Sequence, residues 1–410
     1  MKLTDDNSNM LKLPVSSLAI GMYVSRLDKE WLDSSFLYQG FMIESYADIC
    51  LLEEECSYVW VDPVVENEQG NKFEPHHASG KTAPSKTRYI NKLSMAHEYD
   101  KSHKAFSTSR QKTKTIFDDI VLGGVINTKE IKKTVENCVD SILRNPNAML
   151  WMSKVRDSNS YTADHSLNVC ILCIAFGRQL GYEKDELFSL GMCGLLHDVG
   201  KIRVPNAILD KPDKLTPKEW KQMQAHVILG RNLLMASPDI GYSVDVAYNH
   251  HERIDGKGYP RGLNGSKLSQ HTKIVSLADS YDAMTADRHY SKAITPSAAI
   301  KEIYKHRGTQ FDEKLALQFI EAISLYPPGT IVELVNGYLA IVLERNQKYR
   351  HLPKILLLKD ASGQQVRKKL IDLTLTAQGK LEQAFLIESD HPDGYAGLKV
   401  ADYHHFIMSL

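Results

Sequence analysis

Apolar residues follow three different patterns along the chain. In residues 1–64 short apolar runs roughly alternate with polar residues, which predicts a small β-containing domain. Over residues 116–325 the apolar positions recur at the helical period, so this block is predicted to be all-α. Alternating and β-branched runs return in residues 326–410, most clearly over about 325–375, and predict a small β-rich extension. Its two hairpin turn signals are Asn336–Gly337 and Ser362–Gly363.

These patterns predict a mainly α protein. We expect a helical bundle in the middle of the chain, with a small α/β domain before it and a small β-rich tail after it. Residues 65–115 are polar at first, with Gly, Pro and Ser, and are predicted to be a linker. The stretch from Lys81 to Lys114 contains nine Lys and Arg but only two acidic residues. We interpret this stretch as a solvated linker or a polar helix face, with an anionic partner surface as the alternative.

Composition narrows the classes of function. The 410 residues carry 50 Lys and Arg against 50 Asp and Glu, which argues against a binder of polymeric nucleic acid. The longest apolar run, about Val169–Gly177, is far shorter than the roughly 20 residues of a membrane span. Six cysteines are too few for a disulfide scaffold, and the first residues do not resemble a signal peptide. We therefore expect a reduced, cytoplasmic protein.

Residue types that bind metals are concentrated in the helical block. Seven candidates lie on or at the ends of predicted helices, and a bundle can direct such side chains into one interior site. The mixture of imidazoles and carboxylates favours iron, manganese or another transition metal over calcium or magnesium. The seven are His165, His197, Asp198, His226, His250, His251 and Asp279.

The adjacent pair His197–Asp198 indicates a binuclear centre. Neighbours on a helix point about 100° apart, so both reach one centre only near a helix end or beside two metals. Gly200 is expected to supply that end as a helix C′ residue. A carboxylate at Asp198 could then give one oxygen to each of two cations.

Three sequence motifs resemble the HD-GYP family, the branch of the HD superfamily that hydrolyses cyclic dinucleotides, chiefly cyclic di-GMP. The first is HDVGK at 197–201, the second is HHERIDGKGYP at 250–260, and the third runs from Asp279 through Arg288 to Tyr290. A fourth element, HSLNV from His165, also matches. The resemblance covers about 115–325. Residues 1 to about 65 more weakly resemble the small domain that often precedes HD-GYP domains in proteobacteria.

The resemblance implies a role for each of these residues. The seven candidates above would be metal ligands, with Asp198 bridging two metals. Lys201 would stabilise charge or donate a proton at the scissile phosphate, and Tyr259 would shape the substrate pocket. Asp282 would bind substrate or order the site. Arg288 would hold a phosphate through its bidentate fork, and Lys292 would add a substrate contact.

Two departures from the family pattern affect these expectations. Tyr161 stands where some members carry a glutamate that adds a third metal, so two metals are expected here. The pair Ser291–Lys292 stands where many members have two basic residues, which leaves cyclic di-GMP and 3′3′-cyclic GMP-AMP open as substrates.

The resemblance thus implies a metal-dependent phosphodiesterase with two iron or manganese ions, which opens a cyclic dinucleotide to a linear dinucleotide; a second cut would give mononucleotide. The terminal domains are expected to regulate it, or to make a homodimer or bind a signalling partner. Two alternatives stay open: a sensor that binds cyclic dinucleotide without turnover, and another HD-superfamily enzyme.

Overall fold

The computed structural model divides into two compact units, Met1–Ser85 and Lys86–Leu410. The structure describes residues 11–18, 22–29, 34, 36, 41–43, 46–61, 87–124, 126–155, 161–237, 240–287, 292–346 and 349–407. Within these residues no helix is both long and apolar enough to cross a membrane.

The N-terminal unit contains a four-stranded antiparallel sheet and one helix. Its apolar core includes Val24, Ile43, Leu52 and Val59, all fully buried. The predicted β-containing domain is therefore confirmed. The strands lie in the order β1-β4-β2-β3. The elements are β1 (Leu11–Pro14), β2 (Tyr23–Leu27), β3 (Phe41–Met42), α1 (Tyr46–Glu55) and β4 (Tyr58–Val61).

The second unit begins with a long helix where the sequence predicted a linker. Helix α2 spans Met95–Val121, so the linker prediction is wrong from residue 95 onward, and the polar helix face is the correct interpretation. Residues 65–86 of the predicted linker lie outside the described residues. The helix buries Tyr99, Phe106 and Ile116, and Glu98 is fully buried. Long charged side chains on its outer face and several Ser and Thr residues on its inner face obscure the helical period.

The helical block follows as predicted. The helices are α3 (Thr128–Arg144), α4 (Pro146–Met152), α5 (Tyr161–Leu180), α6 (Lys184–Leu196), α7 (Asn206–Leu209), α8 (Pro217–Gln224), α9 (His226–Met235), α10 (Ser243–Asn249), α11 (Gln270–Met284), α12 (Pro296–Lys305) and α13 (Glu313–Ile323). A capping box of Thr216 and Glu219 starts α8, with Pro217 at its first position. Helix α5 lies at the centre of the bundle, and almost every side chain along it is buried.

The C-terminal extension forms a five-stranded antiparallel sheet in the order β8-β7-β6-β5-β9. Both predicted hairpin turns are confirmed: Gly337 and Gly363 have φ of 77° and 80° in the turns between β5 and β6 and between β7 and β8. The strands are β5 (Ile331–Leu334), β6 (Leu339–Glu344), β7 (Lys354–Lys359), β8 (Gln365–Asp372) and β9 (Ile387–His391); the short helices are α14 (Thr374–Ala377) and α15 (His404–Ile407).

Polar contacts join this sheet to the bundle. The Ser297 N–H, in the first turn of α12, donates to Oδ2 of Asp390 over 2.9 Å. The Met95 N–H at the start of α2 donates to Oε1 of Glu344 over 2.9 Å. The sheet therefore packs on the helices as part of one compact unit.

Candidate metal centre

The bundle brings all seven predicted metal ligands together in its interior. His165 comes from α5, His197 and Asp198 directly follow α6, and His226 opens α9. His250 and His251 follow α10, and Asp279 lies in α11. They form two groups, in each of which the candidate ligand atoms lie within 4.8 Å of one another. The groups are Asp198, His226, His250, His251 and His165, His197, Asp279.

Asp198 lies between the two groups, with one carboxylate oxygen facing each. Its Oδ1 is 3.3 Å from Nε2 of His226 and 3.5 Å from Nε2 of His250. Its Oδ2 is 3.3 Å from Nε2 of His197 and 3.5 Å from Nε2 of His165. This is the arrangement that a carboxylate needs in order to bridge two cations.

Asp279 is shared in the same way on another side of the site. Its Oδ1 lies 3.1 Å from Nε2 of His165, and its Oδ2 lies 4.0 Å from Nδ1 of His251. The two carboxylates therefore link both groups of imidazoles, as a compact binuclear site requires.

A layer of hydrogen bonds fixes the ring orientation of four imidazoles. In each, Nδ1 bonds to an oxygen behind the ring, and Nε2 is left to face the centre. Such partners set the tautomer of metal-binding histidines. The pairs are His165 with Asp282 Oδ2 (2.7 Å), His197 with Gly194 O (2.8 Å), His226 with Met223 O (2.7 Å) and His250 with Val246 O (3.2 Å).

These residues fit divalent metal ions. Among the described residues, Nε2 of His197 and Oδ1 of Asp198 are buried and have no hydrogen-bond partner. Buried polar atoms normally find a partner, so an exception needs an explanation, and coordination of an ion is one. Imidazole and carboxylate are ligands that iron and manganese accept.

In the metal-free site, neighbouring positive charges stabilise the buried carboxylate of Asp198. Burial opposes the charge of Asp198, yet the Lys201 ammonium and His197 hold the pKa of that carboxyl well below its usual value. Burial alone would lower the pKa of His165, but hydrogen bonds to Asp198, Asp279 and Asp282 raise it to about 10. Protonated imidazoles thus provide the positive charge that metals would otherwise supply.

At the other end of the site, burial lowers the pKa of the imidazoles instead of being outweighed by nearby carboxylates. It lowers the pKa of His226 to about 3, because the attraction of Asp198 is too weak to compensate. It also holds the pKa of His251 well below its usual value. These imidazoles are neutral at pH 7, in the form that binds a metal.

Gly200 places His197 and Asp198 for a reason other than the predicted one. His197 is the C-cap of α6 with right-handed helical φ and ψ, and a 3₁₀ turn over Val199–Arg203 follows. Gly200 therefore does not end the helix as a C′ residue. Instead, a Cβ on it would lie 2.0 Å from the carbonyl oxygen of His226 and 2.4 Å from the nitrogen of Gly230. Glycine lets the turn pack directly on α9.

The loop after His251 is held by a buried glutamate that the sequence analysis missed. The Glu252 carboxylate accepts the N–H groups of Arg261 over 2.6 Å and Leu263 over 2.9 Å. Gly258 packs so closely that a Cβ would lie 2.5 Å from the carbonyl oxygen of His251. The loop thereby presents Tyr259, whose ring stacks on His251 at 4.8 Å between centroids.

The remaining predicted site residues differ in where they lie relative to the centre. The Lys201 Nζ forms a salt bridge with Oδ2 of Asp198, at the edge of the centre. Asp282 lies behind His165, which favours the ordering role over substrate contact. Lys292 is exposed, and no hydrogen bond or ion pair among the described residues joins it to the centre. Arg288 and Ser291 lie outside the described residues, as does the side chain of Tyr161.

Comparison with known proteins agrees with this architecture. The family described as HD domain matches residues 147–315, and a domain of unknown function matches residues 10–131. A cyclic di-GMP phosphodiesterase from Pseudomonas aeruginosa is 34% identical over 90% of this chain and 90% of its own length. This chain belongs to the HD-GYP family.

Two further similarities cover smaller shares of the chain. A 3′3′-cGAMP-specific phosphodiesterase from Vibrio cholerae is 37% identical over 42% of this chain and 38% of its own length. A solved HDG"Y"P protein from Bdellovibrio bacteriovorus covers 76% of this chain and 98% of its own, with 16% identity and a TM-score of 0.45.

Proposed function

We propose that the protein is a metal-dependent phosphodiesterase that hydrolyses a cyclic dinucleotide. The observation that carries this proposal is Asp198, which directs one oxygen to each of two histidine groups. The names of its relatives make cyclic di-GMP the first candidate substrate and 3′3′-cyclic GMP-AMP the second.

Two iron or manganese ions are proposed as cofactors. Asp198, His226, His250 and His251 would hold one, and His165, His197 and Asp279 the other, with Asp198 shared. Bound divalent ions would acidify a water so that a hydroxide nucleophile exists near neutral pH.

The protein residues around the centre would bind and orient the phosphodiester. Lys201, one-fifth exposed beside Asp198, would hold a proton near the leaving 3′-oxygen and donate it as the ester opens. Tyr259 would form one wall of the pocket over His251. Arg288 and Lys292 remain predicted phosphate contacts. The product is a linear dinucleotide with a 5′-phosphate, and a second cut gives mononucleotide.

The regulatory terminal domains, a homodimer or signalling partner, and the cytoplasmic location remain predictions of the sequence.

Turnover is the direct test. The protein is purified without oxygen, loaded with Fe(II) or Mn(II) and incubated with each cyclic dinucleotide, and chromatography follows the linear and mononucleotide products. We expect cleavage that Asp198→Ala abolishes and that Asp360→Ala, a change in the turn between β7 and β8, leaves intact. Binding without cleavage in the metal-loaded protein would contradict the proposal and favour a sensor. The faster substrate identifies the preference.

A further inference from the structure

Helix α8 carries an exposed tryptophan that packing does not explain. Trp220 is 48% exposed, and no residue of α8 is buried. A large aromatic side chain on the surface of a short helix contributes little to the core. Exposed aromatic rings of this kind are common in binding surfaces.

The helix is nevertheless held in place. Thr216 and Glu219 form a reciprocal capping box at its start, with the Thr216 N–H donating to Oε2 of Glu219 over 2.7 Å. The Lys211 ammonium donates to both carboxylate oxygens of Glu219 over 2.7 and 2.9 Å. Trp220 directly follows this fixed residue, so its backbone position is defined.

Ring contacts connect Trp220 to the metal centre. Its indole meets the ring of Tyr259 edge to face, at 6.3 Å between centroids and 76° between planes. Tyr259 in turn stacks on His251 at 4.8 Å and 30°. The three rings form a continuous aromatic series from a candidate metal ligand out to solvent.

We propose that Trp220 is a base-stacking residue of the substrate site, on which one purine of the cyclic dinucleotide packs while the scissile phosphate lies at the centre. This inference rests on the proposed function and adds a recognition element to it. The sequence alone does not indicate this role, because only the fold brings Trp220 beside Tyr259.

The chemistry predicts a contribution to affinity that does not depend on which purine is bound. Every base has a π face, so stacking tolerates guanine and adenine alike. The metal centre is unchanged by the loss of the indole. Trp220 should therefore affect KM for both cyclic dinucleotides similarly and leave kcat nearly constant.

Steady-state kinetics of Trp220→Ala and Trp220→Phe in the metal-loaded full chain test this. We expect Trp220→Ala to raise KM about tenfold for either dinucleotide, and Trp220→Phe to recover most of the loss. For methyl p-nitrophenyl phosphate, a phosphodiester without a purine, kcat should be the same in all three proteins. Tyr242→Ala is the matched control, since Tyr242 is 57% exposed and stacks on His271, which is not a candidate ligand.

A binding measurement separates this inference from the proposed function. A phosphorothioate analogue of cyclic di-GMP should quench tryptophan fluorescence in the native protein but not in Trp220→Phe, and calorimetry should show weaker binding by Trp220→Ala. Binding reduced in this way without any turnover would refute the phosphodiesterase and support stacking. Unchanged KM and unchanged analogue affinity in a folded Trp220→Ala would overturn the inference while leaving the enzyme intact.

Discussion

The Nδ1 atom of His165 lies 2.7 Å from Oδ2 of Asp282. Asp282 is buried and lies three residues after Asp279 on α11, so both face the same side of the helix. One helix thus supplies a candidate ligand and the carboxylate that orients another ligand. Carboxylate–histidine pairs of this kind increase the basicity of the ligand and fix its ring.

Replacing Asp282 by asparagine should weaken metal binding about 10- to 100-fold, because His165 loses its charged partner. Titration of Mn(II) against a fluorescent chelator measures the affinity. Asp360→Asn, in the turn between β7 and β8, is the control and should bind Mn(II) normally. Equal affinities in the two variants would show that Asp282 does not support the centre.

Metal binding should release protons. His165 and His197 have pKa values raised from 6.5 to about 10 and about 9, so both are protonated at pH 7 in the metal-free site. A metal needs neutral imidazoles, so about two protons should leave and affinity should rise as the pH rises toward 9. Calorimetry in buffers of different ionisation enthalpy counts the protons; heats that do not depend on the buffer would contradict this.

The same pKa shifts affect the stability of the metal-free protein. The two protonated imidazoles contribute stability that is fully present below pH 6.5, their ordinary pKa, and that is lost as the pH rises through about 9 to 10. The depressed pKa values of Asp198 and Asp279 contribute stability above about pH 3.8 that is lost as the pH falls further.

The grouping of the candidate ligands could be predicted because its chemistry is local. A histidine next to an aspartate at a helix end has few structural uses, and metal-binding residue types at five separate places in one helical block indicate a shared interior site. The placement of the Asp198 carboxylate between two groups of histidines was also predicted, from the adjacency of His197 and Asp198. The structure brings these side chains together as predicted.

The parts that could not be predicted depend on contacts between distant segments. The period of α2 is masked by Ser102, Ser109 and Thr113, which are buried polar residues. Position 200 must be glycine because the backbone of His226, about 26 residues further along the chain, lies too close to leave room for a Cβ. Trp220 and Tyr259 meet only after folding.

Gly200→Ala should destabilise the protein strongly. The new Cβ would lie 2.0 Å from a backbone oxygen, and neither the 3₁₀ turn nor α9 can move away without displacing Asp198 or His226. Overpacking of this kind costs roughly 3 kcal/mol. The unfolding midpoint in urea measures it. Gly230→Ala approaches the same contact from the other side, where the nearest atom is 3.2 Å away, and should lower the midpoint much less.

Substitutions in the ion pairs between α2 and α3 test how strongly α2 stabilises the helical bundle. Glu98 is fully buried and accepts Nε and Nη2 of Arg144 over 2.7 and 2.8 Å. Glu98→Gln leaves that guanidinium without a carboxylate, and we expect a loss of about 3 kcal/mol in the free energy of unfolding. Glu130→Gln breaks the surface pair with Lys112 between the same helices, whose side chains are 39% and 34% exposed, and should change little. A loss in Glu98→Gln as small as that in Glu130→Gln, measured by urea unfolding, would mean that the buried ion pair of Glu98 does not stabilise the bundle.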